Sequence, residues 1–344
     1  MVPFKNITFA AKSDVGRVRA NNEDAFGAFP EGGVWCVADG MGGGEDGEVA
    51  SAAVVNAVED FARNNPSSEQ MDFAVRERRM VEEINAVSDR LFRYAQDKRL
   101  ESCGTTVVAL LLDPGNPCVA SALHAGDSRL YRIRDDEIRQ ITVDHSVVAA
   151  MHAKESEVSP LFRSMILRAV GVKPSVRVDV TRFDLRPGDR ILLCSDGLTR
   201  MVPDPGILSI LKRHRQASNA VAALLAAANA AGGHDNITAV LVDVRRSGGW
   251  RVVCSKILIG GLALLASVIL GALVLGPLLA RRLPKEDGSA VRSECGSTES
   301  SVRDPQTVER NKRWIEAENE RLRNEAKATI ETLRPSPPTG DRTE

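Results

Sequence analysis

The stretch V-W-C-V-A-D-G-M-G-G-G, residues 34–44, decides the fold of this chain. Apolar residues from Val34 to Ala38 lead into Asp39, and Gly40 follows at once. A short apolar run bounded by glycines predicts a buried strand. Asp39 is then a carboxylate at the edge of a sheet. It must be paired or must bind a cation there, because an isolated buried charge is strongly unfavourable.

The segments around this strand predict an antiparallel β core covered by helices, since strands come in meanders with two helices early and two late. Helices are predicted over residues 48–63, 69–99, 205–213 and 217–231. Strands are predicted over residues 6–12 (an edge strand), 25–29, 34–39, 105–112, 119–125, 130–134, 137–142, 176–183, 190–194 and 237–244. Residues 145–169 are poorly periodic and predict a surface flap or a small helical insert.

The composition argues against two classes of protein. The chain has 344 residues and a formal net charge of −1, without the basic excess of a protein that binds nucleic acid. Its six cysteines form no C-x-x-C pair. Cys36 and Cys194 lie in apolar runs, so we predict that both are small residues of the core. Unpaired cysteines of this kind fit a protein that resides in a reducing compartment. The first ten residues lack the apolar segment of a signal peptide.

One segment differs in composition from the rest of the chain. Residues 257–280 form an uncharged apolar run of 24 residues, and a spanning helix needs roughly 20. Lys256 precedes the run, and Arg281 and Arg282 follow it. We predict one transmembrane helix here; a buried helix of a globular domain is the alternative. Residues 307–333 of the charged tail predict a weak amphipathic helix or short coiled coil, with a solvated helix or disorder as the alternative.

Four more places repeat the arrangement at Asp39, with an acidic residue at the end of a predicted strand. They are Glu23-Asp24, Asp127 in G-D-S-R, Asp196 in S-D-G-L and Asp235 in D-N-I-T. Side chains from the ends of different strands can converge on one edge of a sheet. Converging carboxylates repel one another and cannot all ionise without compensation. Divalent cations supply that compensation.

Oxygen ligands without a His or Cys cluster at metal spacing favour hard ions, Mg²⁺ or Mn²⁺, with Ca²⁺ as an alternative. Two such ions about 3.5–4 Å apart can hold a bridging water, lower its pKa and make it a nucleophile. Arg19 precedes Glu23 by four residues and is placed to bind an anionic substrate, because guanidinium matches phosphate oxygens bidentately. Carboxylates, metals and one arginine, without a nucleophilic Ser or Cys, predict a phosphate-ester hydrolase.

The joint pattern resembles the metal-dependent Ser/Thr protein phosphatase family, the type 2C or PPM phosphatases, in its bacterial form. The resemblance covers about residues 7–244 through six motifs in the family's order. They are R-A-N-N-E-D, V-A-D-G-M-G-G, G-T-T, G-D-S-R, S-D-G-L and D-N-I-T. The resemblance implies an α/β sandwich, in which two packed antiparallel sheets are flanked by helices. It also implies hydrolysis of phosphoserine and phosphothreonine in proteins by a water activated between two metal ions.

The resemblance also implies a role for each acidic residue. Asp39 bridges both metals, and the carbonyl oxygen of Gly40 ligates one of them. Asp196 and Asp235 complete the shell of one ion. Glu23 and Asp24 orient metal-bound waters, with Asp24 the closer to the ions.

Further roles follow from the same resemblance. Asp127, with Asp196, would hold a third, weaker metal, and Arg19 would bind the substrate phosphate. Thr105 and Thr106 start a core strand and are predicted to be structural. The predicted metal-site residues are Asp24, Asp39, Gly40, Asp127, Asp196 and Asp235, and the predicted catalytic residues are Arg19, Asp39, Asp196 and Asp235.

The sequence departs from some family members in one respect. They carry a His directly after the Asp-Gly pair, proposed as the general acid for the leaving alkoxide, whereas this chain has Met41, as in the bacterial pattern. The leaving oxygen must then take its proton from a metal-bound water or another group. The segment between Asp144 and Arg168, which matches the family's flap, is short, and this leaves the substrate preference open.

Three other interpretations compete with this one. Residues 42–47, G-G-G-E-D-G, fit a dinucleotide-binding turn, but Asp39, Glu45 and Asp46 would repel a pyrophosphate. His234 could be a metal ligand or a catalytic acid, although a solvent-facing loop residue fits better. The rival from another class is a catalytically inactive, membrane-tethered module that binds phosphoproteins. The loss of a metal ligand would mark that module, and all the expected acids are present.

We therefore predict four regions: a PPM-type phosphatase domain (1–246), a juxtamembrane linker (247–256), a transmembrane helix (257–280) and a charged tail (281–344). The expected partners are phosphoproteins, an opposing Ser/Thr kinase and the lipid bilayer, with no nucleic acid. The basic residues on the two sides of the span balance, so they do not set its orientation. We expect a single-pass protein with a cytoplasmic catalytic domain, because a signal peptide is missing and the cysteines are predicted to be free.

Overall fold

Two antiparallel sheets packed face to face form the centre of the protein. The computed structural model describes residues 7–42, 46–67, 71–100, 103–151 and 165–245. The strands are β1 (Ile7–Asp14), β2 (Asp24–Phe29), β3 (Val34–Gly42), β4 (Cys103–Thr105), β5 (Val107–Leu112), β6 (Val119–Ala125), β7 (Arg129–Arg134), β8 (Glu137–Gln140), β9 (Asp179–Asp184), β10 (Arg190–Cys194) and β11 (Ile237–Val244). One sheet has the order β1-β11-β10-β7-β8, and the other has the order β2-β3-β5-β6-β9, with β4 paired to β3.

Successive side chains of each strand point to opposite faces of its sheet, and together they form three apolar layers. On β3, Trp35 and Val37 face the other sheet, where they pack in one cluster with residues of β10 and β11 such as Leu193 and Val240. The intervening residues of β3, such as Cys36, face the opposite way and pack against helices. A fully apolar strand such as Val34–Ala38 is therefore buried on both faces, as its sequence predicts.

Helices cover the outer face of each sheet. They are α1 (Asp46–Asn64), α2 (Phe73–Lys98), α3 (Val147–Met151), α4 (Asp196–Thr199), α5 (Asp204–Arg213) and α6 (Ala217–Ala230). Helices α1 and α2 pack on the sheet that contains β3, and α5 and α6 pack on the sheet that contains β10. This arrangement confirms the predicted sandwich of two antiparallel sheets with flanking helices. Cys36 and Cys194 are buried and free, as predicted.

Three predicted boundaries are wrong for identifiable physical reasons. Helix α2 starts at Phe73 rather than at residue 69, because the Asp72 carboxylate caps it and accepts from the Ala74 N–H at 2.7 Å. Strand β9 starts at Asp179 rather than at Val176, whose N–H donates to the Asn85 side chain at 2.9 Å. The strand predicted over residues 105–112 is divided into β4 and β5 at Thr106.

The predicted insert over residues 145–169 is partly described. It begins with α3, a short helix as predicted, but its ends are not on the surface, since His145 is fully buried and Arg168 is 8% exposed. All described residues belong to one compact unit. The predicted linker, membrane span (257–280) and tail lie outside the described residues. Within residues 7–245, as far as they are described, no helix has both the length and the apolarity to span a bilayer.

Candidate active site

Asp39 lies near the end of β3, where its register partner on β2 is Asp24. Cβ atoms of directly opposed residues in an antiparallel pair are about 4.5–5.5 Å apart. The carboxyl groups of Asp24 and Asp39 therefore start from adjacent positions at one end of the sheet.

Two threonines fix the backbone of Asp39. The Asp39 N–H donates to the Thr106 hydroxyl at 3.0 Å, and its carbonyl accepts from the Thr105 hydroxyl and the Thr106 N–H, both at 2.9 Å. Thr105 and Thr106 are completely buried. These bonds agree with the prediction that both threonines are structural, and they explain why Thr106 interrupts the strand.

The other acidic residues reach Asp39 from the opposite sheet and from the turn between the sheets. Asp196 is the first residue of α4, two residues after the end of β10, and Asp235 lies two residues before β11. Asp127 lies in the turn that joins β6 of one sheet to β7 of the other. The carboxyl groups of Asp39 and Asp196 lie near enough to each other to affect each other's pKa.

Burial and mutual repulsion raise the pKa values of the Asp24, Asp39, Asp127 and Asp196 carboxyl groups. Desolvation is the largest cause and neighbouring carboxylates add to it. Together they raise the pKa of Asp24 to about 7 and that of Asp127 to about 7. The pKa of Asp39 is raised well above its ordinary value by desolvation and by Asp24, Asp196, Asp127 and Asp235. The sequence-predicted aspartates thus form one cluster of mutually interacting groups.

Among the described residues, three carboxylate oxygens in this cluster find no hydrogen-bond partner. They are Asp24 Oδ1, Asp127 Oδ1 and Asp196 Oδ1, all buried, in residues no more than 9% exposed. A buried polar atom without a partner costs about 1–3 kcal/mol and needs an explanation. Hard divalent cations bind oxygen ligands of this kind, so the donor set fits Mg²⁺ or Mn²⁺.

Two arginines border the cluster. Arg19 forms a two-pronged ion pair with Asp235, with Nε 2.9 Å from Oδ1 and Nη2 3.0 Å from Oδ2, and half of its side chain stays exposed. Arg200, which the sequence analysis missed, lies with Nη2 2.7 Å from Asp196 Oδ2 and 3.8 Å from Asp127 Oδ2. Its spacing of four residues from Asp196 was the available signal, since such pairs meet on a helix.

Glu23 and Gly40 lie beside the cluster in a tightly packed corner. The Gly40 N–H donates to the Glu23 carbonyl at 3.1 Å, and the Glu23 carboxylate lies against Gly47 in the first turn of α1. Burial raises the pKa of Glu23, an effect that Arg19 opposes. Glu23 is therefore next to the aspartate cluster, where the sequence predicted it.

Two further polar residues that sequence reasoning missed hold the cluster together. The Asn236 side chain accepts from the Glu23 N–H at 2.8 Å and donates to the carbonyls of Val15 and Asn21 at 2.9 Å, which fixes the loop that carries Arg19. The Ser195 hydroxyl donates to Asp24 Oδ2 at 2.7 Å and so joins the two sheets. Both residues stand beside predicted aspartates in S-D-G-L and D-N-I-T, which was their only signal.

A second group of potential ligands, His124, His145 and Asp179, does not fit a metal. Their ligand atoms lie within 4.8 Å of one another, but the two imidazole rings are stacked 4.6 Å apart at 14°, so their in-plane lone pairs run parallel instead of converging. His145 Nε2 lies 3.1 Å from Asp179, which Arg168 also binds at 3.2 Å. This group anchors the end of the 145–169 insert. His234 is exposed, in agreement with its interpretation as a loop residue.

Comparison with known proteins places this arrangement among phosphatases. The sequence profile described as protein phosphatase 2C matches residues 16–241. A Ser/Thr phosphatase (stp) of Listeria welshimeri is 35% identical over 244 residues, which cover 67% of this chain and 94% of that protein. The Ser/Thr protein phosphatase PstP of Mycobacterium tuberculosis is 37% identical over 247 residues, covering 69% of this chain and 45% of that protein.

Solved structures agree with the sequence relatives. The structure of the PstP catalytic domain with two manganese ions has a TM-score of 0.61 and 34% identity, and the match covers 70% of this chain and 99% of that one. PppA, described as a regulatory component of the type VI secretion system in Pseudomonas aeruginosa, has a TM-score of 0.62 and 32% identity. That match covers 70% of this chain and 98% of PppA.

Proposed function

Because this chain belongs to the protein phosphatase 2C family and is a Ser/Thr protein phosphatase, we propose that its aspartate cluster holds two Mn²⁺ or Mg²⁺ ions for the hydrolysis of phosphoserine and phosphothreonine. Asp39, Asp196 and Asp235, with the Gly40 carbonyl and Asp24, would hold the pair of ions, and Asp127 with Asp196 a third. The observation that carries this proposal is the set of three buried carboxylate oxygens that have no partner in the part of the chain that the structure describes. The manganese-containing PstP neighbour supports the choice of ion.

When bound, the ions would screen the carboxylates and supply a water of lowered pKa as nucleophile. The chain's own residues do the rest of the work. Thr105 and Thr106 hold the backbone of Asp39 in place. Arg19 is half exposed at the border of the cluster, so its guanidinium can bind the substrate phosphate bidentately. Met41 has no proton to give to the leaving alkoxide, which must take one from another source.

The proposal includes attachment to a membrane through residues 257–280. The uncharged apolar run of 24 residues supports this part. The catalytic domain would be cytoplasmic and would oppose a Ser/Thr kinase, with the charged tail on the far side.

Hydrolysis of a phosphothreonine peptide by the purified protein tests the proposed metal chemistry. We expect turnover that depends on Mn²⁺ or Mg²⁺ and stops with EDTA. Asp196→Asn should lower kcat/KM by about 100-fold or more, because even groups that only orient metal ligands contribute about 10–100-fold. The matched control is Asp136→Asn, since the Asp136 side chain is 80% exposed and pairs with Lys212, which is not part of the cluster. Unchanged activity of Asp196→Asn would remove this residue from the site. An inactive phosphoprotein-binding module would bind the peptide without hydrolysing it.

A further inference from the structure

Arg200 has a position that none of the proposed roles uses. It follows directly after α4, whose first residue is Asp196. Its guanidinium contacts Asp196 Oδ2 at 2.7 Å and lies 3.8 Å from Asp127 Oδ2, while about one third of its side chain is exposed. One guanidinium thus lies against two carboxylates that come from different turns of the fold.

The same two carboxylates are under-compensated. Asp127 Oδ1 and Asp196 Oδ1 are buried and, within the described part of the chain, have no hydrogen-bond partner. A further carboxylate, Asp144, adds repulsion at Asp127, and the cation beside it, Arg129, pairs with Asp144 at 2.7 Å. The position between Asp127 and Asp196 therefore attracts a cation, and a charged group of the protein already lies at its edge.

We propose that Arg200 is a tethered cation that competes with a third divalent ion for Asp127 and Asp196. The proposal rests on the proposed function, because it assumes that the pair of ions is held at the neighbouring aspartates. A guanidinium stays charged at every pH at which proteins fold, and its attachment four residues from Asp196 gives it a high effective concentration at that carboxylate. A third ion then binds only when Arg200 moves away.

This competition has a size that can be measured. If the ion pairs of Arg200 are closed for about nine tenths of the time, the apparent affinity for the third ion is about tenfold lower than its intrinsic affinity. Removal of the guanidinium should recover that factor.

Equilibrium dialysis of the full-length protein in detergent against Mn²⁺ tests the proposal by counting bound ions. The wild type should bind two ions tightly and a third weakly, and Arg200→Gln should bind the third about tenfold more tightly. Arg93→Gln is the matched control, because Arg93 also pairs with an aspartate four residues earlier, Asp89, but on an exposed helix face. It should bind Mn²⁺ like the wild type.

A double variant identifies the ligands of the gained ion. In Asp127→Asn with Arg200→Gln the tightening should disappear. Third-ion affinities of wild type and Arg200→Gln that agree within about twofold would overturn the proposal, as would tightening that persists in the double variant. Both outcomes leave the two tight ions, and hence the proposed function, untouched. A wild type that binds no Mn²⁺ would instead overturn both.

Discussion

At the scale of single residues, the aspartate cluster should make the metal-free protein sensitive to pH. Asp24 and Asp127 have pKa values of about 7 in the folded protein, against an ordinary value of 3.8. The folded state therefore binds more protons than the unfolded state between about pH 4 and pH 7, so stability falls as the pH rises through this window. We expect the Tm measured in EDTA to decrease from pH 5 to pH 8.

Added Mn²⁺ should reverse this trend, because metal binding needs the ionised carboxylates that a high pH supplies. The difference in Tm between Mn²⁺ and EDTA samples should thus widen as the pH rises. Asp127→Asn removes one of the carboxyl groups with a raised pKa and should make the curve measured in EDTA less steep. An unchanged slope in this variant would show that Asp127 does not titrate with a raised pKa.

Arg19 should act mainly in substrate binding. Charge-assisted hydrogen bonds are worth about 1.5–3 kcal/mol, so Arg19→Ala should raise the KM for a phosphothreonine peptide by about tenfold or more. The kcat should change by less than about threefold, as expected when a group binds substrate and transition state equally. Arg17→Ala, in the same exposed loop, is the control and should leave KM unchanged. A pure loss of kcat would contradict a binding role.

The site residues that could be predicted from the sequence are those whose position in a local pattern is visible in the chain. Asp39, Asp127, Asp196 and Asp235 each stand at the end of an apolar strand, which is visible in the chain alone. The hydrogen bond from Ser195 to Asp24 joins residues 171 positions apart, and the contact of Arg200 with Asp127 also depends on the tertiary fold. Local spacing contains no information about such contacts.

At the scale of secondary-structure elements, the junction of β3 with α1 depends on Gly40. A Cβ at this position would overlap the carbonyl oxygen of Gly47 and lie 2.5 Å from that of Glu23. Gly40→Ala should therefore destabilise the protein by about 2–3 kcal/mol, since backbone atoms cannot move aside as side chains do. Thermal or urea unfolding in EDTA measures this loss without interference from bound ions.

Gly115→Ala is the matched control for this substitution. The nearest atom to a Cβ at Gly115 is Asp113 Oδ1, at 3.3 Å, in a surface turn. Its effect should stay within about 0.5 kcal/mol, as for other surface substitutions. Equal stabilities of the two variants would show that the β3–α1 junction has room for a side chain.

The type of each secondary-structure element could be predicted from the sequence, but its first and last residues could be predicted less well. Apolar runs bounded by turn residues predicted the ten strand segments, because burial on one or both faces leaves a clear pattern. The break at Thr106 could not be predicted, because it comes from a tertiary contact. The Thr106 hydroxyl accepts from the backbone N–H of Asp39 on another strand. The start of β9 moved for a similar reason, as Val176 bonds to Asn85 on α2.

At the scale of the whole molecule, hydrophobic pattern alone predicted an antiparallel core covered by helices. The order of strands did not follow from it, because β1 pairs with β11, which is more than 200 residues away in the chain. The resemblance of six motifs to a known family supplied the two packed sheets. It also supplied the individual roles of the aspartates, which remain predictions.

The catalytic region should be separable from the proposed membrane-bound region. The matches to two solved relatives cover 98% and 99% of those chains but only 70% of this one. The phosphatase fold is therefore expected to form without the residues that follow the catalytic domain. A truncation at residue 246 should then be soluble without detergent and retain the Mn²⁺-dependent kcat/KM. The full chain should sediment with membranes and be released by detergent but not by high salt, because about 20 apolar residues in a bilayer are not displaced by ions. Deletion of 257–280 alone should abolish sedimentation and leave activity unchanged. Release of the full chain by high salt would contradict a spanning helix and would indicate a peripheral attachment through charged residues.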